Sequence, residues 1–293
     1  MPRYLAYLLG VMFMLLAGGG SALLAQSASL TALDVTATIG TSTVVPIETT
    51  HSHESDGYSF GILHRSVDLT VDSVGLGAAI IAMQGVEASV PSFFDVNLSP
   101  TLPTLAPVAT GGFTVGLIFD FTLTPTATRL PIGADQELLL VTYSVALTAS
   151  AGVVDLEFSG AMGSPNVEII AALSVPTATP GQPDPVEVIP TTIDGVLTIA
   201  NAPFLRGDLN DSGHYSLIDG ITLLYRMFGL QAAGTCADAE DMNDDGTINL
   251  VDPLDFFSYL FAGGSPPPAP FVACGDDATP LTTLGCASSG SCP

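Results

Sequence analysis

Apolar and polar residues alternate in short runs between residues 28 and 201, and Gly, Pro, Asn and Ser separate the runs. A period of two is typical of β-strands, and a helical period is almost absent here. The mostly apolar run from Leu138 to Leu147 predicts a central strand buried on both faces. The predicted strands are Thr31 to Ala37, Ser42 to Thr49, Tyr58 to His64, Val67 to Val74, Gly112 to Phe121, Glu137 to Leu147, Val153 to Phe158, Asn166 to Ala172 and Thr192 to Ile199. Short strands at this spacing predict a two-sheet β-sandwich of jelly-roll type.

Two proline-containing segments lie near the end of this region. The segment from Val175 to Pro190 contains five prolines, which predicts a long surface loop before the last strand. A short linker is predicted from Asn201 to Leu205, where Pro203 restricts how far the flanking modules can separate.

The period changes after the linker, where one twelve-residue pattern occurs twice, from Asp208 to Asp219 and from Asp241 to Asp252. Oxygen-bearing side chains stand at positions 1, 3, 5, 9 and 12 of each copy, and Gly stands at position 6. This is the ligand layout of a calcium loop, in which the residue at position 7 binds the ion only through its backbone carbonyl oxygen. The predicted ligands are Asp208, Asn210, Ser212, His214, Ser216 and Asp219, and Asp241, Asn243, Asp245, Thr247, Asn249 and Asp252. The repeat therefore predicts two Ca²⁺ sites.

The two loops differ at position 5, where the first has Ser212 and the second has Asp245. The second loop therefore carries one more ligand carboxylate. Because additional ligand charge strengthens calcium binding, we expect the second site to fill first.

Apolar residues at helical spacing follow each loop, which predicts two loop–helix units that pack face to face. These residues are Ile221, Leu223, Leu224, Met227 and Phe228, and Leu254, Phe256, Phe257, Leu260 and Phe261.

Residues 204–275 resemble the type I dockerin module rather than a full EF-hand pair. Pro203 and Gly207 precede the first loop without a helical period, and position 12 is Asp instead of Glu. The resemblance implies a small, mainly α-helical module whose positions 10 and 11 recognise a partner protein. These positions are Leu217, Ile218, Leu250 and Val251. Packing of the same four residues into the core of the module is the alternative.

The order of the strands in residues 28–201 resembles a cohesin domain, a relative of the carbohydrate-binding sandwiches of cellulose-degrading systems. The runs that carry this resemblance are Ser42 to Ile47, Gly57 to His64, Val67 to Val74, Glu137 to Tyr143 and Asp194 to Ile199. The resemblance implies a domain that docks a complementary protein module.

The first 26 residues are predicted to be a signal peptide, so we expect the mature protein to be secreted or held at the cell surface. Arg3 precedes the apolar run from Leu5 to Ala17, and small residues follow, with cleavage expected between Ala22 and Ala28. Thirteen apolar residues are too few to span a bilayer comfortably. An uncleaved membrane anchor is the alternative.

The charge balance excludes several classes of partner. The chain has 29 Asp and Glu against five Arg and no Lys, giving a formal net charge of −24. Binding to nucleic acid or to anionic membranes needs a cationic surface, so neither partner is expected. An acidic surface instead suits solubility and divalent cations.

All four cysteines lie near the C-terminus, and an even number in an exported chain predicts disulfides. We expect Cys236 to pair with Cys274 around the second calcium loop, and Cys286 with Cys292 in a tail formed by residues 276–293. A zinc site is the alternative, although neither a CxxC spacing nor a nearby His supports it.

Catalytic motifs are absent from the sequence, so we expect that the protein is not an enzyme. The strand acids Asp120, Asp155 and Glu157 lack a distinguishing motif for glycoside hydrolysis. His51 and His53 are expected in a solvated loop, with a transition-metal site as the alternative.

Three functions remain after these exclusions. The first is calcium-dependent docking of a protein partner in an extracellular, polysaccharide-related assembly. The second is glycan binding by the sandwich, where Tyr58, Phe93 and Phe94 would replace the missing Trp and the calcium module would serve as an anchor. In the third, the calcium module only stabilises the sandwich as a cap.

Overall fold

The computed structural model describes residues 26–84, 90–103, 111–121, 128–147, 149–175, 184–277 and 284–292. The predicted signal peptide lies almost wholly outside these residues. Within them, no helix is long and apolar enough to cross a membrane.

The described residues form thirteen strands and four helices. The strands are β1 Ala28–Ala32, β2 Val35–Thr38, β3 Ser42–His51, β4 Ser55–His64, β5 Leu69–Leu76, β6 Phe93–Asn97, β7 Gly111–Ile118, β8 Gly133–Val145, β9 Gly152–Phe158, β10 Ile170–Val175, β11 Asp184–Val188, β12 Thr191–Ile193 and β13 Gly195–Ala200. The helices are α1 Ala78–Gln84, α2 Leu217–Met227, α3 Ala237–Glu240 and α4 Val251–Ala262.

The strands make two sheets, which confirms the prediction of a two-sheet β-sandwich. Five strands form one sheet in the order β12-β1-β3-β8-β5. The other eight form the second sheet along the path β11-β10-β4-β9-β13-β2, with β7 paired to β4 and β6 paired to β7. Both sheets contribute apolar side chains to one core, among them Leu30, Ile47, Phe60, Phe113, Leu156 and Leu197.

The predicted strand from Thr31 to Ala37 is divided between the two sheets. Strand β1 pairs with β3 in the five-stranded sheet, whereas β2 pairs with β13 in the eight-stranded sheet. The crossing occurs at Leu33 and Asp34, where Leu33 N–H donates to Pro46 O and Asp34 Oδ1 accepts from Val196 N–H. The prediction of one strand was wrong because both halves alternate equally well.

From Leu139 onward strand β8 is buried on one face only, so the prediction of burial on both faces from Leu138 to Leu147 was wrong. Leu139, Val141, Tyr143 and Val145 are buried, and the residues between them are partly exposed. The core lies on one side of this sheet, so alternate residues of β8 face away from it.

Four described elements were not predicted: β6, β11, α1 and α3. Strand β11 lies inside the proline-containing segment that was predicted to be a loop, and it pairs with β10. Helix α1 buries Ile80 and Met83, and its first amide, Ala78 N–H, donates to Glu137 Oε1 over 2.8 Å. Helix α1 depends on a contact with a residue distant in sequence, and prolines interrupt the alternating pattern around β11, so local pattern revealed neither element.

The segment that joins the sandwich to the predicted calcium loops is packed against the C-terminal part of the chain. Ala202 and Phe204 are buried. Ala202 N–H donates to Cys286 O over 2.7 Å, and the backbones of Phe204 and Gly275 exchange two hydrogen bonds. Ala287 packs against the core of the sandwich. The C-terminal segment therefore contacts the sandwich as well as the loops.

The disulfides join Cys236 to Cys286 and Cys274 to Cys292, so the predicted pairing was wrong. The C-terminal segment runs antiparallel to the chain around Cys236, where Ala237 N–H donates to Gly285 O and Ala287 N–H donates to Thr235 O. This pairing brings the Cα atoms of Cys236 and Cys286 to 3.9 Å. The bridge thus follows from backbone contacts between segments far apart in sequence.

Candidate calcium and docking site

The two predicted calcium loops adopt the same hydrogen-bonded turn. In the first loop, the position 1 carboxylate of Asp208 accepts from the amides of Ser212 and Gly213 at 2.9 and 2.7 Å. In the second loop, Asp241 accepts from the amides at the equivalent positions 5 and 6 at 3.1 and 2.8 Å. The duplicated sequence therefore produces duplicated geometry.

The turn in each loop requires left-handed backbone at two positions. Asp211 and Asp244, both at position 4, have φ values of 55° and 59°. Gly213 and Gly246, both at position 6, have φ values of 75° and 83°. Asp tolerates this region better than most residues, and Gly has no Cβ to oppose it. The residue types at positions 4 and 6 thus explain the shape of both loops.

The position 12 carboxylates close the loops from the start of the following helices. Asp219 and Asp252 are fully buried. Asp219 accepts from Leu209 N–H and Ser216 N–H, and Asp252 accepts from Asn243 N–H and Asn249 N–H. These bonds tie the beginning of each loop to its end.

Burial raises the pKa of both closing carboxylates. The pKa of Asp252 is raised to about 6, mainly by burial and further by the carboxylates of Asp241 and Asp245, against the opposing effect of its backbone hydrogen bonds. The pKa of Asp219 is raised by burial, and the Asp208 carboxylate adds to the shift. Each loop therefore gathers negative charge at a poorly solvated position, where a cation would stabilise the ionised carboxylates.

The oxygen donors of both loops fit a hard cation such as Ca²⁺. The described residues contain no three His, Cys, Asp or Glu side chains that converge on one metal position. A cation in either loop would therefore depend on amide, hydroxyl and backbone oxygens as well as on carboxylates, which is the mixed donor set that Ca²⁺ accepts. The remaining predicted donors, Asn210, Ser212, His214 and Ser216, and Asn243, Asp245, Thr247 and Asn249, lie along the same two turns.

The last residues of each loop also begin a helix. Ser216 caps α2, and together with Asp219 it forms a reciprocal capping box. At the second loop Asn249 Oδ1 accepts from Val251 N–H, the first residue of α4. Predicted ligands at positions 9 and 12 thus set the start and direction of both helices.

Helices α2 and α4 pack against each other, as predicted. Their shared core contains Leu209, Leu223, Met242, Phe256 and Phe271. Gly220 permits the close approach, because a Cβ at that position would overlap the ring of Phe257. Three residues predicted on the packed faces are instead exposed: Phe228, Leu254 and Phe261.

The apolar pairs at positions 10 and 11 face solvent in both repeats. The exposed fractions are 46% for Leu217, 59% for Ile218, 50% for Leu250 and 45% for Val251. The alternative that these residues pack into the core was wrong. We call these four residues the twin apolar pairs.

Two arginines contact the loops, Arg206 fully buried and Arg226 partly exposed, and loop spacing gave no signal for either. Arg206 is fully buried beside Asp238, Asp244 and Asp277, and Arg226 pairs with Glu240 at 2.6 Å. The pKa of Asp238 is raised to about 6, mainly by burial and also by the Asp277 carboxylate, against the opposing effect of Arg206. The scarcity of cations in this acidic chain is the one sequence feature that could have singled out these arginines.

The other candidate residues are dispersed over the sandwich. His51 is buried rather than in a solvated loop, and its Nε2 lies 2.8 Å from Gln136 Oε1. Asp155 and Glu157 line an open cleft of about 460 Å³, where Glu157 forms an ion pair with Arg65. Asp120 Oδ2 accepts from Thr128 N–H.

Only one of the three proposed glycan-binding aromatics has an exposed aromatic neighbour. Tyr58 is buried, and Phe94 packs against the core. Phe93 is partly exposed and meets the exposed Phe121 edge to face, with ring centroids 6.5 Å apart. Phe121, which no motif in the sequence singles out, is therefore the better candidate for stacking on a sugar.

No family model matches the chain, and no curated protein matches its sequence. The solved structures to which it is similar include cohesin domains. The seventh ScaB type I cohesin of Pseudobacteroides cellulosolvens is 17% identical, with 59% of this chain and 92% of that chain covered and a TM-score of 0.42. CaCohA2 of Clostridium acetobutylicum is 19% identical, with 59% of this chain and 91% of that chain covered and a TM-score of 0.40. A non-cellulosomal cohesin of Archaeoglobus fulgidus is 17% identical, with 59% of this chain and 91% of that chain covered and a TM-score of 0.35. Similarity at this level assigns neither a family nor a function.

Proposed function

We propose that the chain is a secreted, non-catalytic interaction protein that docks a protein partner through the twin apolar pairs when its two loops hold Ca²⁺. The exposure of the same two positions in both repeats carries this proposal. Exposed apolar residues that recur at equivalent positions are typical of a binding surface rather than of scattered surface residues.

Calcium would act on docking through the helix starts. The first apolar pair follows Ser216 directly and contains the first two residues of α2, and Asp219 lies one residue further on. A cation held by Ser216 and Asp219 would therefore fix the backbone that presents Leu217 and Ile218. Without the cation, repulsion among the loop carboxylates opposes this arrangement.

The resemblance to dockerin and cohesin modules implies the setting of this proposal. A dockerin-like module and a cohesin-like sandwich in one exported chain suit an extracellular or cell-surface assembly that acts on polysaccharide. The partner would be a protein module, either on another protein or on a second copy of this chain.

The docking proposal predicts that Leu217→Asp together with Leu250→Asp weakens partner binding by about 10–100-fold, because two half-exposed apolar anchors are lost. The full chain is immobilised and exposed to a tagged second copy and to the secreted proteins of the source cells, in calcium and in chelator. Bound proteins are identified by mass spectrometry, and their affinities are then measured by surface plasmon resonance.

Ile81→Asp is the matched control, because Ile81 is 54% exposed but lies on α1 of the sandwich. We expect this variant to bind as the unaltered chain does. Binding that persists in chelator, or that the double substitution leaves intact, would show that the docking proposal is wrong.

Glycan binding by the sandwich is the second candidate function, and the exposed Phe121 ring beside Phe93 favours it. If this alternative is correct, the full chain migrates more slowly in electrophoresis through gels that contain soluble polysaccharide than through gels without it, with or without calcium. Phe121→Ala would abolish the retardation, because an aromatic ring stacked on a sugar buries a large apolar area that Ala cannot replace. Ile132→Ala is the control for loss of an exposed apolar residue, and equal migration of all variants would contradict the alternative.

A further inference from the structure

The guanidinium of Arg206 contacts the second calcium loop at two points. Nη1 donates to the backbone oxygen of Asp241, at position 1, over 2.6 Å. Nη2 pairs with Oδ1 of Asp244, at position 4, over 3.2 Å. The planar guanidinium of Arg206 therefore joins the backbone of Asp241 to the side chain of Asp244, which has left-handed backbone.

Other contacts hold this guanidinium in a fixed position. Nη1 also donates to Asp238 O at 3.1 Å, and Nη2 donates to Ala269 O and to Asp277 Oδ1, both at 3.3 Å. The ring of Phe204 lies 5.4 Å from the central guanidinium carbon. A fully buried group with this many partners has little freedom to move, so the loop atoms that it binds are also held.

Arg226 occupies a corresponding place at the first loop. Its Nη2 donates to Leu209 O, at position 2, over 2.9 Å, and its Nη1 donates to Glu240 Oε1 over 2.6 Å. The position 4 residue of this loop, Asp211, accepts from Gly290 N–H at 2.7 Å. Both loops thus have an arginine on a backbone carbonyl near their start and a donor on Asp at position 4. That donor is Arg206 itself in the second loop and Gly290 N–H in the first.

We propose that Arg206 and Arg226 are positioning residues that preform the second and the first calcium loop, respectively, and so increase the calcium affinity of each. The proposal rests on the calcium binding proposed above. A loop that is already ordered loses less conformational freedom when it binds a ligand, so its affinity is higher. Neither arginine belongs to the predicted ligand set.

A positive charge near a cation site also repels the cation, and this effect opposes preorganisation. Arg206 is paired with the carboxylates of Asp244 and Asp277, and Arg226 is paired with that of Glu240. These partners offset the guanidinium charges, so the ordering of the loops is the larger effect. The sign of the change in affinity on substitution therefore tests the proposal directly.

The test is a calcium titration of the full chain followed by two-dimensional amide NMR spectra. Gly213 and Gly246 report separately on the two loops, because each amide donates to the position 1 carboxylate of its own loop. Arg206→Met and Arg206→Lys are expected to lower the affinity of the second loop by about 10–100-fold, the usual cost of losing a group that orients ligands. The first loop should change less than about twofold.

Arg226→Met and Arg226→Lys are expected to give the reverse pattern. The lysine variants separate charge from geometry, because an ammonium keeps the charge but lacks the planar fork. They also replace the methionine variants if those do not fold.

Three outcomes would overturn the proposal: higher affinity in the altered loop, equal losses in both loops, or failure of all four variants to fold in calcium. The failure of the proposed calcium binding looks different. In that case the unaltered chain itself shows no calcium-dependent change at Gly213 or Gly246.

Discussion

Phe256→Ala is expected to lower the free energy of unfolding of the module that contains the two loop–helix units by about 3–5 kcal/mol, the usual cost of truncating a buried Phe. Phe256 is fully buried in the shared core of α2 and α4. Its ring also packs beside Gly207, where the chain turns with φ of 83° before the first loop. Truncation leaves a cavity at the point where both loop–helix units meet.

Urea unfolding followed by the helical circular dichroism signal measures this effect, because α2 and α4 are the longest helices among the described residues. Phe261→Ala is the matched control, since Phe261 lies on the same helix and is 68% exposed. We expect the control to change stability by less than about 0.5 kcal/mol. Equal effects of the two substitutions would mean that the module lacks the core described here.

Removal of the Cys236–Cys286 disulfide by the double substitution to Ser is expected to cost about 4 kcal/mol. The bridge joins residues separated by 50 positions, and a cross-link of that span strongly restricts the unfolded chain. The bridge also holds the C-terminal segment against Asn201 and the sandwich core. We therefore expect limited proteolysis to cleave the C-terminal segment of this variant sooner than that of the unaltered chain.

The Cys274→Ser, Cys292→Ser variant provides the comparison, because that bridge spans only 18 positions and its loss should cost about 3 kcal/mol. Thermal and urea unfolding of both variants without reductant, with mass spectrometry to verify the remaining bridge, gives the two values. A larger loss from the shorter bridge, or an equally protected C-terminal segment in both variants, would contradict this account.

In the sandwich, the alternation of apolar and polar residues predicted where most strands lie but not which sheet each strand joins. The period of two located most of the strands, including the segments that became β3, β4 and β8. It could not divide the run from Thr31 to Ala37, because each half presents alternating residues to the same core from a different sheet. Which sheet a strand joins depends on its partner, and that partner lies elsewhere in the chain.

The candidate site was predicted in outline but not in its surroundings. Ligand spacing gave both loops, and the loops and helices that follow adopt the expected order. The ligand spacing did not indicate whether Leu217 and Leu250 are buried or exposed. Their exposure to solvent follows from the way in which α2 packs on α4. The ligand spacing also gave no signal for Arg206, whose loop contacts at Asp241 and Asp244 span more than thirty positions.

By itself the sequence determined the features that a few neighbouring residues encode: the strand period, the duplicated loops with Gly at position 6, the helices that follow and an even number of cysteines. Only the tertiary structure decided which strands pair, which apolar residues remain exposed, that Cys236 joins Cys286, and that Arg206 lies against the second loop. The physical reason is the range of the interactions. Periodicity and turn geometry act within one segment, whereas burial, disulfide pairing and ion pairing need segments that only the folded chain brings together.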